Sequence, residues 1–171
     1  ADLDRIRAAL GDKQLTYVGF SYGTSIGAVY ATLFPENTRA MVLDGAVSHD
    51  ASPAERTLAQ GRGFENTLGS FVDQCDADPS CALGPDSAAT IAATRDELDA
   101  EPVRVDAASG ERVLGVDLFD FALATALYDT SVWGPAAEAI ADVSGDGGVL
   151  LFTLVDRQLG RNPDGTYDNS S

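Results

Sequence analysis

Leu15-Thr-Tyr-Val-Gly-Phe-Ser-Tyr-Gly-Thr-Ser-Ile-Gly-Ala-Val-Tyr-Ala-Thr-Leu-Phe-Pro35 is the stretch that decides the fold. Its first six residues are apolar, β-branched or aromatic, the composition of a buried parallel strand. From residue 22 the period changes. Ile26, Val29, Tyr30 and Leu33 fall on one stripe at helical spacing, and Pro35 stops the helix. Between strand and helix lies Gly19-Phe20-Ser21-Tyr22-Gly23, a G-x-S-x-G motif in the strand–turn–helix context that gives it meaning. A turn this sharp forces its central residue into strained backbone and lifts the hydroxyl clear of the sheet. Positions two before and two after then have no room for a β-carbon, which Gly19 and Gly23 satisfy. The pattern marks Ser21 as a candidate nucleophile. It marks the Tyr22 backbone N–H, at the positive end of the helix, as a candidate oxyanion donor. The structural alternative is a tight turn in an unrelated α/β protein.

Outward from the motif, residues 2–10 read as a helix with Leu3, Ile6 and Leu10 on one face and Gly11 beyond its end. Arg39-Ala-Met-Val-Leu43 reads as a second buried strand closed by Asp44-Gly45. Helix, strand, helix, strand is part of a parallel α/β sheet, and two strands do not complete one. After Ser48 the character changes. Residues 53–72, 87–100, 117–128 and 135–143, and a segment within 147–160, read as helices. Pro102–Val105 and Val113–Val116 read as extended. The expected organisation is a partial sheet domain over 1–50 and a mostly helical cap over 51–171.

Net charge is −16 over 171 residues. Residues 1–50 hold four basic and six acidic side chains, so nearly all the excess lies beyond residue 50. Such a chain repels phosphate, which disfavours nucleic acid and anionic membrane as partners. A solvated acidic surface accounts for the charge; a pocket attracting a cationic group, such as a peptide N-terminus, is the sharper reading. No run approaches the roughly 18 apolar residues of a membrane span. Cys75 and Cys81, in Cys-Asp-Ala-Asp-Pro-Ser-Cys, are misplaced for a zinc knuckle, and the chain has one histidine. A local disulfide formed in an oxidising compartment fits the spacing better than two unrelated thiols.

The run Thr16–Pro35, followed by Arg39-Ala-Met-Val-Leu-Asp-Gly-Ala-Val47, closely resembles the prolyl and tripeptidyl aminopeptidase branch of the α/β-hydrolases, in particular its secreted actinobacterial members. The likeness is dense over residues 2–50. It continues more loosely through the Cys75–Cys81 loop to Asn162-Pro-Asp-Gly-Thr-Tyr-Asp-Asn-Ser-Ser171. It implies a serine hydrolase, secreted or held in the cell envelope, that releases residues or short peptides from peptide N-termini through an acyl-enzyme, without metal or cofactor. Esterases occur among such relatives, so a peptide or an ester is the expected substrate. Carried onto this chain, Ser21 is the nucleophile and Tyr22 the oxyanion donor. In such hydrolases the acid and the histidine follow later strands, beyond the cap. The chain therefore reads as an internal piece of a longer hydrolase, inactive alone, and a non-catalytic fragment is the rival reading.

Local substitutes are few. His49 follows the second strand, where a surface polar role competes with catalysis. Asp44 ends that strand, where some α/β-hydrolases keep their acid, although Leu-Asp-Gly also reads as a turn. Trp133 reads as packing between helices or as a substrate wall. Asp142-Val-Ser-Gly-Asp-Gly-Gly lacks the spacing of a calcium loop and reads as a turn. Asp96, Glu97, Asp99 and Glu101 read as a solvated helix end, one of which could meet a substrate ammonium.

Overall fold

The computed structural model describes residues 2–48, 50–107, 110–145 and 147–168. The chain is α/β, a small parallel sheet with its helices followed by a largely helical part. It divides into two compact units, Ala1–Arg62 and Gly63–Ser171.

In the first unit, α1 (Asp2–Ala9) precedes β1 (Leu15–Phe20), α2 (Tyr22–Leu33) and β2 (Thr38–Asp44). The strands pair in parallel, with Tyr17 opposite Met41, Val18 opposite Val42, Gly19 opposite Leu43 and Phe20 opposite Asp44. Side chains alternate across a strand. Tyr17 and Gly19 face α2, while Val18 and Phe20 point the other way. The helix comes close because Gly27 has no side chain: a β-carbon there would lie 2.8 Å from both Leu43 Cδ2 and Tyr17 Cε1.

One expectation is corrected by this geometry. The strands are not buried on both faces: Val18 is 56%, Phe20 66% and Val42 60% exposed. Among the described residues, helix covers one face of the sheet, whereas a parallel sheet needs cover on both. Of the helical stripe, Tyr30 is buried while Ile26, Val29 and Leu33 are exposed, because α2 meets the sheet through its small residues.

A polar pin holds α1. The Asp4 carboxylate accepts hydrogen bonds from Arg7 Nε (2.8 Å), the Tyr30 hydroxyl (3.0 Å) and Asn37 Nδ2 (2.9 Å). The Arg7 bond, followed by those of Tyr30 and Asn37, holds the Asp4 carboxyl below its ordinary value against the opposing pull of desolvation. A depressed carboxylate contributes stability above its unfolded value, about 3.9, and loses it as pH falls through the folded one. Asp4→Asn is therefore expected to reduce the hydrogen-exchange protection of α1 most at neutral pH. The difference from wild type should shrink below about pH 4. A difference independent of pH would show that the carboxylate charge is not what holds α1.

The second unit begins within α3 (Pro53–Ala77), which runs five residues beyond the expected end. It continues through α4 (Ser87–Ala100), β3 (Val103–Ala107), β4 (Gly110–Leu114), α5 (Val116–Ala126), α6 (Trp133–Gly145) and α7 (Val149–Leu159). Asp86 caps α4 by accepting from the Ala89 N–H, and Ile91 and Leu98 turn inward. The two extended segments are an antiparallel hairpin, displaced from the expected spans, with Val103 opposite Leu114 and Val105 opposite Arg112. The core gathers Phe71, Leu98, Leu114, Phe119, Ile140 and Phe152. Trp133 belongs to it, 5% exposed, with its ring centroid 5.5 Å from that of Phe71. Asp142 does turn-and-cap work: its carboxylate accepts the Leu150 N–H in the first turn of α7. No group of metal-ligating side chains able to hold an ion occurs among the described residues. No described helix is long and apolar enough to cross a membrane.

Candidate active site

Ser21 stands between the last residue of β1 and the first of α2, at φ 49° and ψ −120°. It is the one non-glycine residue at positive φ among those described. Such backbone costs roughly 1–3 kcal/mol and persists only where the surroundings impose it. Here they do so from both sides. The Ser21 N–H donates to the Asp44 carbonyl at 3.0 Å, and the Ser21 carbonyl accepts from the Thr24 N–H at 3.0 Å.

The flanking glycines explain why the chain can double back. A β-carbon on Gly19 would lie 2.6 Å from the Gly23 carbonyl oxygen, inside any permitted contact. Gly23 is also approached, with the Tyr17 hydroxyl 3.3 Å from where its β-carbon would be. That hydroxyl donates to the Gly23 carbonyl at 2.8 Å and ties β1 to the first turn of α2. Gly45 turns the chain after β2 at φ +66°, a conformation that disfavours any side chain.

Ser21 and Tyr22 are both exposed at this turn. Tyr22 opens α2, so its N–H is one of the first-turn donors that have no partner within the helix. An exposed hydroxyl beside a free N–H at the positive end of a helix is an arrangement for attacking a carbonyl and receiving the resulting negative charge.

The other candidates are placed as follows. Asp44 reaches the elbow through its backbone carbonyl, and its side chain is exposed. His49 lies outside the described residues. Cys75, buried on α3, is joined in a disulfide to Cys81 in the following loop, their Cα atoms 5.4 Å apart. Trp133, Asp78 and Glu138 border a cavity of about 200 Å³ beside that disulfide. Asp96, Glu97, Asp99 and Glu101 are exposed along the end of α4; the Arg95 guanidinium is held above its ordinary value chiefly by its hydrogen-bonded partner Asp120 (3.0 Å), with smaller contributions from Asp99 and Asp96. The sequence reading missed Thr24 and Tyr17. A hydroxyl three residues after the turn and a tyrosine four before it were the available signals.

Comparison with known proteins agrees with this geometry. Residues 1–133 match the family described as the alpha/beta hydrolase fold. The chain is 36% identical over 176 aligned residues to the serine protease Hip1 of Mycobacterium tuberculosis, covering 99% of this chain and 34% of that protein. It is 38% identical over 158 residues to the tripeptidyl aminopeptidase of Streptomyces lividans, covering 88% of this chain and 28% of that one. It is 35% identical over 138 residues to carboxylesterase B of Mycobacterium tuberculosis, covering 80% and 26%. The chain thus spans about a third of the length of the curated relatives it matches, or less. On the family match and the strand–elbow–helix that carries it, the chain belongs to the α/β-hydrolase fold family.

Proposed function

We propose that this chain supplies the nucleophile of a serine peptidase that releases residues or short peptides from peptide N-termini. The observation that carries the reading is Ser21, held at φ 49° and ψ −120° between β1 and α2. In this reading Ser21 attacks the substrate carbonyl after a histidine removes its proton. The Tyr22 N–H receives the oxyanion, the histidine returns the proton to the leaving amine as the peptide bond breaks, and water then releases the acyl group. Residues 1–50 form part of the hydrolase core and 51–171 the helical cap. The histidine and acid come from parts of a longer protein outside residues 1–171. Similarity to a serine protease and to a tripeptidyl aminopeptidase supports the substrate class. The Cys75–Cys81 disulfide and those relatives support a secreted or cell-envelope location. The chemistry requires no metal or cofactor.

A second reading, an esterase on the same elbow, is favoured by the likeness to carboxylesterase B. A substrate panel on the full-length protein separates the two. Aminoacyl and tripeptidyl amides with free N-termini are expected to be turned over, and blocking the terminal amine should abolish turnover. Hydrolysis of simple acyl esters alone would establish the esterase and reject the peptidase.

A further inference from the structure

We infer that Thr24 is a positioning residue for the oxyanion donor, an inference that rests on the nucleophile reading of Ser21. The Thr24 side chain is 2% exposed, so it does not touch substrate from this position. Its hydroxyl donates to the Ser21 carbonyl at 2.6 Å and accepts the Val47 N–H at 2.9 Å. Its own N–H also donates to the Ser21 carbonyl, at 3.0 Å. Thr24 thereby takes hold of that oxygen twice.

The consequence follows from peptide geometry. The Ser21 carbonyl and the Tyr22 N–H share one planar trans peptide unit and point in opposite directions. Whatever fixes the carbonyl fixes the N–H. The two Thr24 bonds draw the oxygen toward the buried side, which turns the Tyr22 N–H outward at the elbow.

Several helical threonines donate to a carbonyl four residues back within their own helix, as Thr32 does to Ala28 and Thr94 to Thr90. Thr24 differs from these on two counts. Its acceptor, Ser21, precedes the helix, and its hydroxyl is itself held by the segment after β2. The end of β2 and the segment after it grip Ser21 at both ends, through the Asp44 carbonyl on the N–H and through Val47 and Thr24 on the carbonyl. The ring is closed by hydrogen bonds, and Thr24 is its one side-chain member.

The test uses the full-length protein and its best substrate. Thr24→Val keeps the branched shape and removes the hydroxyl. It is expected to lower kcat by about 10- to 100-fold, since a small misplacement of one donor costs on this order, with KM within about twofold. Affinity for a peptide boronate, which presents an oxyanion, should fall in step with kcat. Thr24→Ser restores the hydroxyl and should recover most of the loss. If Thr24→Val does not yield folded protein, Thr24→Cys, whose thiol bonds weakly, takes its place with the same expectations. An unchanged kcat in the hydroxyl-free variant, or a Thr24→Ser enzyme as impaired as Thr24→Val, overturns the inference. These outcomes are read on enzyme whose Ser21 is shown to be labelled by an organophosphorus probe. Failure of the nucleophile reading itself shows separately, as activity surviving Ser21→Ala.

Discussion

Ser21→Ala in the full-length protein is expected to lower kcat by about 10⁴-fold or more, with little change in KM. The hydroxyl is the atom that forms the acyl bond, so no neighbouring group inherits its role. What remains would be the acceleration that an oxyanion donor and substrate binding give to attack by water. The fold should tolerate the change. Ser21 is exposed, and the bonds that hold its backbone run through its N–H and carbonyl, which alanine keeps. Serine and alanine both carry a β-carbon, so the positive φ costs the two residues alike. A variant that melts near wild type yet keeps a tenth of its activity would remove Ser21 from the chemistry.

The second large effect concerns residues 1–171 expressed by themselves. They are expected to turn over neither peptides nor esters. A serine hydroxyl is almost never ionised near neutral pH and needs a base. Histidine is the usual base, and His49 is the only histidine in the chain. One oxyanion donor does not replace a pair. The sheet face adds a second obstacle. Val18, Phe20 and Val42 lie more than half exposed on a two-stranded sheet. Covering each fully is worth roughly 1.5–3 kcal/mol, so such a face favours association over a dispersed monomer. The isolated chain should therefore aggregate through residues 1–62 more readily than through the helical unit. The outcome that contradicts this is a soluble chain with turnover lost in both Ser21→Ala and His49→Ala. That result would place a working base at His49.

The elbow was legible because its demands are local. Gly19, Ser21 and Gly23 are dictated by a single turn, and the change of period from strand to helix brackets them. The helix over 87–100 was equally plain, since Asp86 caps it and Ile91 and Leu98 repeat at helical spacing. What the sequence concealed depended on distant partners. Val18 and Phe20 look buried from composition, yet burial requires a second layer that composition does not supply. The β3–β4 hairpin was displaced in the reading because short alternating segments carry their register in cross-strand pairing, here Val105 with Arg112. Thr24 looked like an ordinary first-turn threonine. Its bond to Val47 joins residues 23 positions apart, and that link exists only after β2 has paired with β1.

In the proposed reading the strained residue at the strand–helix turn, Ser21, is the nucleophile. The most direct measurement treats the full-length protein with a fluorophosphonate probe, digests it, and locates the adduct by mass spectrometry. One labelled serine, Ser21, is expected, with adduct formation abolished in Ser21→Ala. Labelling that survives Ser21→Ala, or an adduct on another serine, would contradict that reading.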